Sequence, residues 1–308
     1  MLARRRQGRR GYTQDKAVER GFTFTRCLSR VPPGTILEGM VLEFAKMNGA
    51  GNDFVLLDGR AQRVKLTRRQ VVRLCDRHRG IGADGLVVLK ACASGEADWA
   101  WEFYNSDGST GEMCGNAARC FARYVQRQTG SRGNFTFQTE AGIITARFQG
   151  ARVTVDLTPP EDLRLNERVA LSPGSTTIHF LNTGVPHAVL FVPDADKAMV
   201  RELGPEIRRH PHFGPRGANV NFVQVLGPGR IRVRTFERGV EGETLACGTG
   251  VAASALVSSR IHGFASPVQV RVQGGDDLEV SFKAAHGQFA GVRLSGPAEF
   301  VFEGRIEV

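Results

Sequence analysis

Glu112-Met113-Cys114-Gly115-Asn116-Ala117-Ala118 and Leu245-Ala246-Cys247-Gly248-Thr249-Gly250-Val251-Ala252-Ala253 decide how this chain is read. Each places a Cys-Gly turn immediately before a window of small residues, which predicts a helix start followed by a closely packed helix. The repeated pattern points to an internal duplication with one thiol per half. A cysteine at a helix N-terminus faces unpaired N–H groups and the positive end of the macrodipole, which favour thiolate over thiol. Its pKa is then expected to fall from about 8.5 into or below the neutral range. Two such thiols on one cavity titrate as a coupled pair, so one thiolate and one thiol is the expected resting state. That pair suits inversion of a stereocentre beside a carboxylate: a base takes the α-proton from one face while an acid supplies a proton to the other. The helix starts can hold the carboxylate and the negative charge that develops next to it. This chemistry requires no metal and no other cofactor.

Around these stretches, short apolar strands alternate with helical windows. Strands are predicted at 41–47, 53–58, 86–90, 98–104, 134–138, 143–148 and 152–157. Thr67 followed by Val71, Leu74, Cys75 and His78 reads as a capped amphipathic helix. After Thr158-Pro159-Pro160 the grammar starts again, with strands at 176–181, 188–192, 220–225 and 231–236, a helix after Cys247 and short strands from Val268 onward. The fold class is α+β, with many short strands around one small-residue helix in each half.

The chain of 308 residues is long enough for two domains. With 41% hydrophobic and 23% charged residues it has the balance of a soluble globular protein, and no run of 18 apolar residues suggests a membrane span. The net charge of +10 is concentrated at residues 1–39, where nine basic residues face three acidic ones. The remainder is mildly basic and lacks the basic–aromatic interleaving of a nucleic-acid binder. The segment 1–39, without apolar periodicity, reads as a disordered or non-native extension, with order beginning near Met40. The six cysteines, Cys27, Cys75, Cys92, Cys114, Cys120 and Cys247, contain no CxxC pair, which argues for reduced thiols and against structural zinc. Cys75, Cys92 and Cys120 read as small buried hydrophobes.

The chain resembles the diaminopimelate epimerases from about Met40 to its C-terminus. The segments that carry the likeness are KMNGAGNDF at 46–54, DRHRGIGADG at 76–85, YNSDG at 104–108, MCGNAARC at 113–120, GVPH at 184–187 and ERGVEGETLACGTG at 237–250. The resemblance implies two similar domains, 40–158 and 159–296. Each is a curved, barrel-like sheet around a central helix; the active site lies in the cleft between them, and a final strand at 297–308 returns to the first domain. It implies Cys114 and Cys247 as the catalytic thiols. Gly115, Asn116, Gly248 and Thr249 would hold the carboxylate at the reacting centre, with Asn52 near its amine. Asn105, Asn219, Glu237 and Arg238 would read the distal amino-acid end, and His187, with Glu237, would support the thiols. Gly85 and Val185 depart from family members that carry glutamine and asparagine there, removing two side-chain contacts. The implied substrate is diaminopimelate, without a cofactor, in a cytoplasmic homodimer that makes meso-diaminopimelate for lysine and peptidoglycan.

Other readings carry less. Gly80-Ile81-Gly82-Ala83-Asp84-Gly85 satisfies GxGxxG, but it follows a helix and precedes a strand, the reverse of a dinucleotide fingerprint. His210-Pro211-His212 lacks a third metal ligand at useful spacing. A proline or hydroxyproline racemase would leave the residues for the distal end without a purpose, and a thiol redox protein would be expected to carry CxxC. A chain beginning at Met40 is expected to fold and retain activity, because residues 1–39 offer no motif and little core material. Aggregation or inactivity of that truncated chain would show that the extension has a structural role.

Overall fold

The computed structural model describes residues 40–308 apart from 61–63, 173 and 286; the basic segment 1–39, with Cys27, lies outside the described residues. The first series of elements is β1 (Val41–Gly49), β2 (Asn52–Asp58), α1 (Arg68–Cys75), β3 (Gly85–Lys90), β4 (Trp99–Asn105), α2 (Gly115–Thr129), β5 (Phe135–Thr139), β6 (Gly142–Gln149) and β7 (Arg152–Asp156). After β8 (Glu161–Leu171) comes a second: β9 (Gly174–Asn182), β10 (Pro186–Phe191), α3 (Val200–Arg208), β11 (Asn219–Gly227), β12 (Arg230–Glu237), a short β13 (Gly242–Thr244), α4 (Gly248–His262), β14 (Val268–Arg271), β15 (Asp277–Ala285) and β16 (Gln288–Pro297). The last strand is β17 (Glu299–Glu307).

The pairings repeat strand for strand. β1 and β2 are antiparallel, β2 and β3 parallel, β3 and β4 antiparallel, β4 and β5 parallel, and β5, β6 and β7 follow antiparallel. The same alternation runs through β9, β10, β11, β12, β14, β15 and β16. α1 and α3 occupy equivalent crossovers, as do α2 and α4. The final strands of the two series, β7 and β16, pair with each other and join them. The two remaining strands are exchanged: β8 leaves the first series to pair with β9, and β17 leaves the second to pair with β1.

A strand covered on both faces has no polar side to show, which is why Phe54-Val55-Leu56-Leu57 is apolar throughout. Phe54 and Leu56 face the core that surrounds α2, whereas Val55 and Leu57 pack under Val71 and Leu74 of α1. In the second series Val189 faces inward, while Ala188 and Leu190 pack against Val200 and Ile207 of α3. α2 packs on β1, β2, β3 and β7, and α4 on β9 to β12 and β14 to β16. Because α4 is enclosed along ten of its positions, Gly248 through Ser258, it has small or apolar residues all round rather than an amphipathic stripe.

Three expectations need correction. The first helix ends at Cys75, short of His78, because the Asp76 carboxylate accepts from the His78 and Arg79 amides and turns the chain. Cys92 is not buried in the core; it is partly exposed in the loop after β3, 3.2 Å from the Gln138 side-chain oxygen. Among the elements named above, β8, α3 and the short β13 have no predicted counterpart. β8 is broken by register shifts and by left-handed Asp162 and Asn166, and α3 contains Gly204 and Pro205. Gly204 is required there because a Cβ would come within 2.7 Å of the Phe236 ring. The inner core turns on Phe121, whose ring lies 4.8 Å from Phe137 and 5.7 Å from Trp101. Phe121→Ala is expected to cost about 3–5 kcal/mol in urea denaturation, whereas exposed Val240→Ala should change stability by less than about 0.5 kcal/mol.

Candidate active site

Cys114 and Cys247 are the N-cap residues of α2 and α4, both with extended backbone (φ −143°, ψ 117° and φ −119°, ψ 108°). Both helices run for 15 residues and both stop at a left-handed glycine, Gly130 and Gly263. The Asn116 and Ala117 amides point at the Cys114 sulfur, and the Gly250 amide at that of Cys247, which also lies 3.5 Å from the Thr249 hydroxyl. The two helix starts meet almost head to head. A Cβ on Gly248 would sit 3.4 Å from the Gly115 Cα, and Leu294 of β16 wedges against both glycines, 2.9 and 3.0 Å from the positions where side chains would begin.

Burial works against the thiolate of the expected thiolate–thiol pair. Burial pushes the Cys114 thiol up to about 11 despite its two amide contacts, and the Glu237 carboxylate adds to the rise. Burial and Glu237 push Cys247 well above the ordinary thiol range as well. Helix-start amides favour the anion, but withdrawal from water outweighs them and favours the protonated form of both thiols.

Several expected site residues are bonded directly to one another. Asn116, fully buried, donates to the Asn52 side-chain oxygen at 2.6 Å and to the Ala246 carbonyl at 3.2 Å, bridging the two helix starts. Asn52 donates in turn to Asp84 at 2.9 Å. Asp84 belongs to an ion cluster in which Arg77 holds both Asp53 and Asp84, while buried Lys46 pairs with Asp53. On the other side, Asn219 accepts from the Arg238 amide at 2.8 Å and donates to the Pro186 carbonyl at 3.2 Å. Glu237 accepts from the Thr244 hydroxyl at 2.9 Å, and burial raises its pKa. The Arg238 guanidinium is half-buried near Arg208 and Arg216, both of which oppose its charge; among the described residues no carboxylate pairs with it. His187 is fully buried against the first turn of α4, with Nδ1 3.2 Å from Asn221 Nδ2 and Nε2 without a partner among the described residues. Burial first, and then Arg238, pushes it down to about 3, so the ring is neutral. Among the described residues the Asn105 side chain donates to the Ser109 hydroxyl at 3.0 Å and to none of the other expected site residues.

At Gly85 the space for a side chain is filled by the Phe103 ring and the Tyr104 carbonyl, 2.9 and 2.8 Å from where a Cβ would lie. Val185 contributes its carbonyl, which accepts from the Thr183 amide at 3.2 Å. Sequence reasoning missed Asp84, Thr183, Asn221 and Arg119. Asp84 and Arg119 lie inside segments that carried the resemblance, whereas Thr183, whose hydroxyl donates to the Thr249 carbonyl at 2.9 Å, had no signal beyond its place beside Gly184. The glycines from Gly80 to Gly85 join α1 to β3. His212 contacts Glu167 at 2.8 Å, and no group of three or more potential metal ligands occurs among the described residues.

The fold matches a Bacillus anthracis phenazine biosynthesis protein of the PhzF family, with a TM-score of 0.67 at 14% identity over 87% of this chain and 100% of that one. It also matches a hydroxyproline epimerase from Agrobacterium vitis, with a TM-score of 0.65 at 15% identity over 87% and 93%. The family model for diaminopimelate epimerase matches residues 44–162 and 179–301. Diaminopimelate epimerases of Aquifex aeolicus and Chlorobaculum tepidum are 42% and 40% identical to this chain, over 86% and 84% of it and 98% and 99% of their own lengths. The chain belongs to the diaminopimelate epimerase family.

The close approach of the helix starts leads to a direct test. Gly115→Ala and Gly248→Ala are expected to fold yet lose about 10²-fold in kcat, because an added methyl pushes the two thiol-bearing turns apart. Gly133→Ala, with open space around it, should behave as wild type. Full turnover in both site variants would show that the spacing is not critical.

Proposed function

We propose that the protein interconverts LL- and meso-diaminopimelate, passing protons between Cys114 and Cys247 on opposite faces of one α-carbon. The observation that carries this reading is the head-to-head meeting of two cysteine-capped helix starts at Gly115 and Gly248. A substrate α-carboxylate at that junction accepts from the free amides of both helices, through Gly115, Asn116, Gly248 and Thr249, and stands at two positive dipole ends. Asn52 lies next to the α-amine. As the ammonium groups of the substrate enter, they lower the cost of ionising one thiol, whose proton passes to solvent; that thiolate takes the α-proton while the other thiol delivers its own to the opposite face. From the thiolate–thiol state the proton count of the inversion closes with the two thiols alone, so the reading requires no cofactor.

Arg238, without a carboxylate partner in its basic surroundings, grips the distal carboxylate in a two-pronged contact. Glu237 accepts from the distal ammonium, with Asn105 and Asn219 adding hydrogen bonds and His187 supporting the Cys247 helix. The two strand series act as two domains, 40–158 completed by 297–308, and 159–296, that close around the substrate. A cytoplasmic homodimer is the corresponding assembly; in its favour are Val301 and Phe302, which are large, apolar and exposed on β17, and no helix among the described residues is long and apolar enough to cross a membrane. The meso product serves lysine synthesis and peptidoglycan.

Incubation with LL-diaminopimelate in deuterated water should give the meso form with deuterium at one α-position. Cys114→Ala and Cys247→Ala should each lower turnover by at least about 10²–10⁴-fold. Arg238→Lys should lower kcat/KM by about 10²-fold. Efficient racemisation of proline or lysine by the wild type would move the substrate assignment to a one-carboxylate amino acid.

A further inference from the structure

Arg119 is the largest side chain that is fully buried in the protein. Its guanidinium donates to four acceptors: the Gly115 carbonyl, the Gly49 carbonyl and the Pro297 carbonyl, each at 3.2 Å, and the Asn116 side-chain oxygen at 2.9 Å. Every one of them is neutral. A buried cation is normally held by an anion, since leaving its charge uncompensated in a low-dielectric interior costs several kcal/mol. Room has been left for this group, because a Cβ on Gly296 would come within 3.1 Å of its Nε.

The four bonds act at the reacting end of the site. The Gly115 carbonyl belongs to the residue directly after Cys114. The bond to the Asn116 oxygen fixes which way that amide faces, so its NH₂ must point to Asn52 and to Ala246, the residue before Cys247. The charged and titratable groups around Arg119 and Cys114 are Cys120 on the same helix, Arg152 from β7, Glu237 from β12, Cys247 at the start of α4, and Asp276 from the turn before β15. Glu237 opposes a thiolate on either cysteine; Arg119 favours one on Cys114. Burial lowers the Arg119 pKa to about 10, which still leaves it protonated at neutral pH.

We propose that Arg119 is a positioning residue for the epimerisation, a buried cation bonded to no carboxylate among the described residues, whose counter-charge is the Cys114 thiolate formed during turnover, and which sets the Asn116 amide that spans the two thiol turns. The substrate is the one given under the proposed function, but the charge relation to Cys114 stands independently of it. Losing the cation leaves the thiolate without its partner, and losing the fork releases the amide.

Arg119→Met and Arg119→Lys separate the two effects. In substrate-free protein, the pH dependence of Cys114 alkylation by iodoacetamide, followed by peptide mass mapping, should move up by about one pH unit in Arg119→Met and remain in place in Arg119→Lys, which keeps the charge. With LL-diaminopimelate, kcat should fall about 10²-fold in Arg119→Met, with the ascending limb of its pH profile moved to higher pH, and about tenfold in Arg119→Lys with little change in KM. A folded Arg119→Met protein with an unmoved alkylation midpoint overturns the proposal. If that variant does not fold, Arg119→Lys decides: unchanged kcat, or an effect confined to KM, overturns it equally. Alkylation requires no substrate, so wild-type protein that leaves diaminopimelate unchanged refutes the substrate assignment without touching this result.

Discussion

Two helices pointing their N-termini at each other is an unfavourable arrangement in isolation. Each contributes roughly half a positive charge and a set of unpaired N–H groups, and here both are taken out of water. The contact survives because everything at it is small or neutral: Gly115 against Gly248, Leu294 filling the angle, and the Asn116 amide carrying a hydrogen bond across to Ala246. The rest of the molecule follows from holding that junction. α2 and α4 must be threaded through the middle of their sheets to meet end to end, so the strands around them are covered on both faces and α1 and α3 are needed outside.

The electrostatic character of the site stems from the same junction. Two positive helix ends, with Arg119 beneath the reacting turn and Arg238 toward the distal end, neither paired with a carboxylate among the described residues, give the site an excess of positive charge. Glu237 is the exception, and burial works against its ionisation. A ligand with two carboxylates meets this imbalance at both ends. The thiols answer to burial first, which raises both, with Glu237 adding to the rise.

Much of this was legible in the order of residues. Cys-Gly before small residues marks both helix starts because the physical demand there, close approach of backbone, is met by few side chains. Strands such as β2 and β10 were visible because burial on both faces leaves a continuous apolar run. What was not legible depends on contacts made far away in sequence. Pro205 argues against a helix at α3, which forms because Val200 and Ile207 have an apolar sheet to cover. β8 is irregular and largely exposed, and its partner decides its shape. The effect of burial on the thiols was hidden for a similar reason, since a helix start announces itself locally whereas the depth of burial does not. Arg119 looks like an ordinary surface arginine until the carbonyls that receive it, of Gly49, Gly115 and Pro297, are assembled from β1, α2 and β16.

The exchange of β8 and β17 has a temporal side. β1 is the first strand made and β17 the last, yet they are hydrogen-bonded neighbours over nearly their full lengths. The first unit therefore leaves synthesis with one edge open and waits for almost the whole remaining chain before that edge is closed, whereas the second unit receives its borrowed strand, β8, before its own first strand appears. Pairing of β1 therefore waits for β17, and a chain lacking β17 would expose β1 of the opposite series rather than merely shorten its own. The two halves are interlocked by construction, in the manner of two subunits that traded a strand and were then joined into one polypeptide.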